Sequence, residues 1–248
     1  MDMPVTGAPP PTFITVTEIW GMAITNLEGA VQVNMTNTLL LDEQFRNQRL
    51  TEGLAWHGEP RSWFIDMELS QLVLHTEENT DFWQKTHYGF QADSGHLLYK
   101  ATPKNFRMTT KVIARPKSRY DQAGLMIRFS EELWIKTSVE YIAEGTGKLG
   151  AVVTNRGYSD WSTQSIALPG GEIEMFFRLS KIGQNSYADY SWDGEHWSQI
   201  RVAHLDLPPG APVYAGLYAC SPQGKELEVR FDFLTLEELG DDPNEAYL

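Results

Sequence analysis

The chain has 248 residues, 42% of them hydrophobic, with 20 Lys and Arg against 33 Asp and Glu, too much apolar content for a disordered chain and enough for one large domain or two small ones. A net charge of −13 repels phosphate backbones and anionic lipid surfaces, so neither nucleic acid nor membrane is an expected partner. No apolar run approaches the ~18 residues of a membrane span, the opening residues lack the features of a secretion signal, and the single Cys220 can form no intramolecular disulfide, so a cytoplasmic location is expected.

The charge divides the chain into three parts. Residues 1–52 carry a net −4 and residues 237–248 a net −5, leaving −4 on residues 53–236, which also hold seven of the eight tryptophans. The expected organisation is an N-terminal extension (1–52), a packed domain (53–236) and an acidic, solvated, flexible tail (237–248). In the extension, Phe13, Thr15 and Thr17 alternate with Ile14, Val16 and Glu18, which predicts a strand over about 12–20. Runs at Met22–Asn26 and Val31–Asn34 could extend it into a hairpin or meander. Such strands would join the main sheet or that of a partner subunit, making a homodimer through the extension the expected assembly. A short helical seam is expected at Asp42–Leu50.

From residue 53 onward short alternating runs recur between turn signals. They lie at Trp63–Glu68, Leu72–His75, Lys85–Ala92, Gly95–Lys100, Phe106–Ala114, Ala123–Phe129, Leu133–Ile142, Gly147–Asn155, Glu172–Ser180, Asn185–Ser191, Trp197–Val202, Val213–Ala219 and Leu227–Leu236. So many strands exceed what one sheet holds without curling, which predicts an all-β sandwich of two sheets. Asp193-Gly194 within Ser191–Trp197 reads as a structural hairpin turn.

Several long motifs, among them Trp56–Pro60, Thr80–Phe90, Tyr120–Arg128, Leu133–Tyr141, Val152–Asn155, Ser159–Ser162 and Tyr218–Lys225, resemble the DUF1349 family. The resemblance covers about three quarters of the chain. It implies a concanavalin A-like jelly-roll sandwich of two antiparallel sheets and a regulatory association with a metabolic enzyme. It implies no reaction, because this fold serves lectins, hydrolases and scaffolds alike. The first 52 residues fall outside it, and Ser138 stands where the family more commonly has glycine.

Strand parity selects the residues able to do chemistry. Leu133, Ile135, Thr137, Val139 and Tyr141 share one face of their strand and belong in the core, whereas Trp134, Lys136, Ser138 and Glu140 share the other. Burying Lys136 and Glu140 between apolar sheets would cost several kcal/mol per ion, so their face is expected to open onto a cleft. Arg128, two residues from Met126 on the preceding strand, joins that patch. Cations on both sides would hold Glu140 ionised.

Read as one strand, Thr80–Phe90 places Asp81, Trp83, Lys85 and His87 on one side and Phe82, Gln84, Thr86, Tyr88 and Phe90 on the other. The first set would give the cleft an aromatic wall, a carboxylate and an imidazole that titrates near neutrality. A strand histidine more commonly serves as a structural hydrogen-bond partner. Asp160 and Trp161, expected in a loop, would close the rim, Trp161 stacking on a sugar or other planar ligand.

Metal sites and common catalytic motifs are not expected. The chain holds no HExxH, CxxC, GxSxG or glycine-rich phosphate loop, and no cofactor is called for. It also lacks the spaced carboxylate pair of sandwich glycosidases; Glu172 and Glu174 read as a solvated edge, and Cys220 as an inert core thiol.

Three functions remain open. One is a lectin-like module binding a small anionic or sugar-like ligand between Trp83, Trp134 and Trp161, with Asp81, Arg128, Lys136, Glu140, Asp160 and His87 supplying polar specificity. Another is a cofactor-independent cyclase, isomerase or lyase in which His87 or Glu140 moves a proton and Arg128 or Lys136 stabilises negative charge. The third is a regulatory partner of a metabolic enzyme.

Overall fold

A computed structural model describes residues 38–247. The strands predicted at 12–20, Met22–Asn26 and Val31–Asn34, and the assembly they would support, lie outside the described residues. In chain order the strands are β1 (Leu39–Glu43), β2 (Leu54–His57), β3 (Ser62–Asp66), β4 (Gln71–His75), β5 (Phe82–Gln84), β6 (Gln91–Asp93), β7 (His96–Thr102), β8 (Phe106–Arg115) and β9 (Gln122–Ser130). They continue as β10 (Leu133–Ala143), β11 (Thr146–Asn155), β12 (Tyr158–Ala167), β13 (Ile173–Ile182), β14 (Asn185–Ser191), β15 (Ser198–His204), β16 (Val213–Cys220), β17 (Glu228–Phe231) and β18 (Leu234–Glu238). Short 3₁₀ turns stand at Pro169–Gly171 and Pro243–Tyr247.

The strands form an antiparallel jelly-roll sandwich. Among the described residues, the larger sheet has nine strands in the order β15-β14-β13-β8-β17-β4-β3, with β18 beside β8 and β1 beside β18. The smaller has seven in the order β12-β11-β10-β9-β16-β7-β2. A separate hairpin, β5–β6, belongs to neither. The predicted run Leu227–Leu236 is two strands, β17 and β18, which pair with successive halves of β8.

Strand β8 shows why the sequence folds this way. Phe106, Met108, Thr110, Val112 and Ala114 are buried while Arg107, Thr109, Lys111 and Ile113 between them are only partly so, the period-2 burial of a sheet with one face on the core. The core joins these side chains to Leu125, Ile127, Ile135 and Val139 of the facing sheet. On the outer face, Lys111 pairs with Glu174 at 2.7 Å and Arg115 with Glu172 at 3.2 Å; both glutamates are solvated as expected, but they stand on and beside the interior strand β13 and not at a sheet edge.

Strands β9 and β10 differ, being buried on both faces along most of their length. The core covers one face, and the β5–β6 hairpin covers much of the other.

Three local expectations are corrected. Residues 42–50 form no helix: β1 runs to Glu43, whose carboxylate accepts hydrogen bonds from the Phe45 and Thr51 amides at 2.7 Å each. This caps a bend that buries Phe45 completely. Asp160 and Trp161 lie within edge strand β12 and not in a loop; its polar sequence hides a strand that has only one neighbour. The acidic tail is docked, with Leu239 and Ala246 buried against Ile182 and Tyr187. Arg107 donates to the Glu245 carbonyl. Two apolar residues thus anchor a segment whose charges suggested a solvated chain.

Candidate functional site

The β5–β6 hairpin is pinned across the outer face of the seven-stranded sheet by buried charges. Lys136 on β10 donates to the Phe82 carbonyl at 2.9 Å and pairs with Asp81 at 3.3 Å. Its ammonium also lies 5.7 Å from the Trp134 ring and 5.6 Å from that of Tyr218, within cation–π range. Arg128 on β9 clasps Asp93 at the far end of the hairpin with two hydrogen bonds, 3.2 and 2.5 Å long. The Gln84 amide donates to the Ser159 hydroxyl at 2.8 Å. Phe82 is wholly buried and packs edge-on to Trp134 and Tyr218. This fit needs Gly95, since a Cβ there would stand 2.3 Å from the Phe82 ring. Desolvation opposes the charge on Lys136, but Asp81, with Cys220 and Glu140 adding to it, more than offsets that cost and the ammonium is held above its ordinary pKa.

Beyond the hairpin a cavity of about 460 Å³ opens, a size suited to a small metabolite. Trp83, Tyr88, Phe90, Tyr120 and Trp161 give it aromatic walls. Asp81, Gln91, Gln122, Lys136, Glu140, Asn79 and Gln223 supply polar groups.

Glu140 is the distinctive one. It is 8% exposed, and among the described residues no hydrogen bond or ion pair reaches its carboxylate. Burial lifts its pKa to about 7, with Lys136 opposing the rise and Asp81 adding to it. The expectation that cations hold Glu140 ionised is therefore corrected: Lys136 is engaged by Asp81, Arg128 by Asp93, and desolvation wins.

Tyr120 reaches the cavity from the loop before β9 with φ of 69°, a left-handed conformation that costs a bulky side chain of order 1–3 kcal/mol. The Asp121 carboxylate holds this loop by accepting from the Lys117 and Ser118 amides at 2.8 Å each and from the Ser221 hydroxyl. The Tyr88 phenol is pushed up by burial, with Tyr120 and Glu140 adding to the shift.

Of the residues selected by sequence, Asp81, Trp83, Lys136, Glu140 and Trp161 line this one cavity. Trp134 lies beneath it, fully buried, its indole N–H donating to the Glu131 carbonyl. Arg128 shares the face but lies under the hairpin.

Two residues are displaced from the expected site. His87 is exposed on the hairpin loop with φ of 63°, packing edge-on to Tyr88 at 4.5 Å; with Asp160 it borders a second, outer depression that shares Trp83, Tyr88 and Trp161 with the cavity. Asp160 points away from the cavity and meets Arg201 on β15 at 3.0 Å, because adjacent residues of β12 face opposite ways and Trp161 takes the cavity side. Sequence reasoning missed Tyr88, Phe90, Tyr120 and Gln122. The first two were assigned to the wrong face because β5 ends at Gln84 and positive φ angles at Lys85, His87 and Gly89 turn the chain back.

Other expectations for the chemistry can be located. Cys220 is fully buried, and burial raises its thiol pKa. Asp193 accepts from the Glu195 and His196 amides at 2.9 and 2.8 Å, a structural turn, while Trp197 lies over the Arg178 guanidinium at 4.6 Å. Among the described residues no group of three or more His, Cys, Asp or Glu is placed to hold a metal, and no helix is long and apolar enough to cross a membrane.

Residues 56–239 match the model of a family described as "Protein of unknown function (DUF1349)". The chain is 36% identical over 187 residues to Regulation of enolase protein 1 of Saccharomyces cerevisiae, covering 75% of this chain and 89% of that protein. A crystal structure of a functionally unknown protein from Saccharomyces cerevisiae superposes with a TM-score of 0.67 at 32% identity, covering 76% of this chain and 98% of the other. A GH43 protein from Bacillus licheniformis shares the fold, with a TM-score of 0.60 at 17% identity, over 80% of this chain and 39% of its own.

Proposed function

The chain belongs to the DUF1349 family, and from that premise we propose that it is a ligand-binding β-sandwich whose site is the aromatic-walled cavity beside the β5–β6 hairpin. The observation carrying this reading is Glu140, a nine-tenths-buried carboxylate with no hydrogen-bond or ion-pair partner among the described residues, facing a space of about 460 Å³. Desolvation already opposes the charge on this carboxyl, a cost that a ligand donating to the carboxylate would offset.

Of the two ligand classes expected from the sequence, the cavity supports the sugar-like one better than the anionic one. Its lysine is already paired with Asp81, and its walls suit stacking of a small hydroxylated ring. The test is a panel of neutral monosaccharides and polyols titrated against the protein while tryptophan fluorescence and melting temperature are followed. Saturable binding that is lost in Trp161→Ala supports the reading. A panel without effect removes the sugar-like assignment, and binding indifferent to both Trp161→Ala and Glu140→Gln overturns the cavity as the site.

One observation favours catalysis as the second reading. A carboxyl group titrating near 7 suits a general acid or base, with the Lys136 ammonium 2% exposed at the cavity floor as the neighbouring positive charge. Product formation abolished by Glu140→Gln with binding retained would favour this reading over simple binding. The regulatory reading draws on the name of the yeast relative. It gains if substitutions throughout the cavity leave capture of a metabolic enzyme intact and no small ligand binds.

A further inference from the structure

We propose that the ligand of this cavity presents a cationic group, a quaternary ammonium or protonated amine, to the Glu140 carboxylate within the aromatic walls. The proposal rests on the reading that the cavity binds a small ligand, and adds the sign of its charge.

Charge bookkeeping around the cavity leads there. Lys136 and Asp81 neutralise one another, so the remaining lining charge is that of Glu140. Lys148, opposite Glu140 on β11, turns to the Ser165 hydroxyl at 2.9 Å and does not line the cavity. Tyr218 and Cys220, on β16, both have raised pKa values with burial as the main cause and stay neutral. From the loops, Tyr88 and Tyr120 present phenols, the first also raised by burial, and the exposed Arg119 stacks on the Tyr120 ring at 4.8 Å without itself lining the cavity. No lining cation is left over for an anionic ligand, whereas a cation would meet both a carboxylate and ring faces.

The walls fit the same assignment. Trp83 and Tyr88 meet edge-on at 5.6 Å, and Tyr88 and Phe90 lie 6.0 Å apart, with Tyr120 and Trp161 completing the lining. Rings carry negative potential on their faces, which attracts a desolvated cation. A carboxylate within such walls lets the ligand bring the counter-charge that the protein does not supply. Binding therefore favours ionised Glu140 and expels its proton.

Choline, its uncharged isostere 3,3-dimethylbutanol, and glucose separate the possibilities by calorimetric titration of the full chain. At pH 8 choline is expected to bind saturably and at least about tenfold more tightly than 3,3-dimethylbutanol. Glu140→Gln, checked for an unchanged circular dichroism spectrum, should erase that preference. With Glu140 titrating at about 7, choline should bind about tenfold more weakly at pH 6 than at pH 8. Equal binding of choline and its isostere, or a preference that survives Glu140→Gln, overturns the cationic assignment. If glucose binds without any such preference, the ligand-binding reading stands and this one falls. If none of the three binds, both fall.

Discussion

The outer face of β10 presents two regions built from the same kinds of residue with opposite outcomes. Under the hairpin, Lys136 and the neighbouring Arg128 of β9 are each matched to an aspartate, and Trp134 is fully buried. Four residues further along the strand, Glu140 is nearly as buried but has no hydrogen-bond or ion-pair partner among the described residues. Buried charge alone therefore does not mark a functional group in this protein. At the closed end it fastens one piece of structure to another; at the open end it is unmatched among the described residues and faces the cavity.

The largest expected effect tests the closed end. Lys136→Met strands Asp81 and the Phe82 carbonyl beneath the hairpin, and breaking a buried pair by removing one partner costs about 3–5 kcal/mol. Urea denaturation should show that loss, with the double variant Asp81→Asn, Lys136→Met recovering most of it. A single variant that loses less than about 1 kcal/mol would dissolve the distinction between the two ends.

Glu140→Gln should act in the opposite direction. The folded-state pKa of about 7 lies above the ordinary 4.5, so the native protein binds the extra proton and its stability from this group falls as pH rises from about 4.5 to 7. The sign follows because the folded form is the better proton binder. Above pH 7 the wild-type protein holds a desolvated carboxylate that the amide variant lacks. Glu140→Gln should then be the more stable by up to about 3 kcal/mol at pH 8, and this gain should vanish near pH 4. Denaturation midpoints at the two pH values provide the check; a destabilised variant at pH 8 would mean that Glu140 has a structural partner after all.

Trp161→Ala carries a smaller stability effect and a larger functional one. The ring is half-buried on edge strand β12, so about 1–2 kcal/mol of stability is at stake. Loss of one aromatic wall should weaken ligand binding tenfold or more, as removal of a tryptophan anchor does at other recognition sites. A variant that loses stability but binds normally would move the site away from this wall.

The contrast between the ends was partly legible in the sequence. The faces of β9 and β10 follow from Leu133–Tyr141 by parity alone, because a regular strand alternates whatever surrounds it. Parity failed in Thr80–Phe90, where the strand is three residues long and the left-handed angles that reverse it fall on Lys85 and His87, residues whose chemistry gives no warning; Gly89 was the available signal. Partners were not legible either. Asp93, which neutralises Arg128, lies 35 residues away in the chain, and without it strand parity alone leaves both cations facing Glu140. Tyr120 sits at the end of a motif that the family resemblance picked out, but nothing in its type or spacing pointed into the cavity.

His87 offers the smallest expected effect and the sharpest control. It was the first candidate for acid–base chemistry by residue type, but the hairpin turn carries it onto the surface, where its contact is the edge of Tyr88. Asparagine tolerates the left-handed backbone at this position, so His87→Asn removes the imidazole without adding strain. Stability should change by less than about 0.5 kcal/mol, as for a surface substitution, and choline affinity at pH 8 should be unchanged. The shift of that affinity between pH 6 and pH 8 should also persist, since Glu140 and not the imidazole governs it. If His87→Asn abolishes the pH dependence while Glu140→Gln leaves it in place, the titrating group sits on the hairpin tip, and the open end of β10 loses its claim to the chemistry.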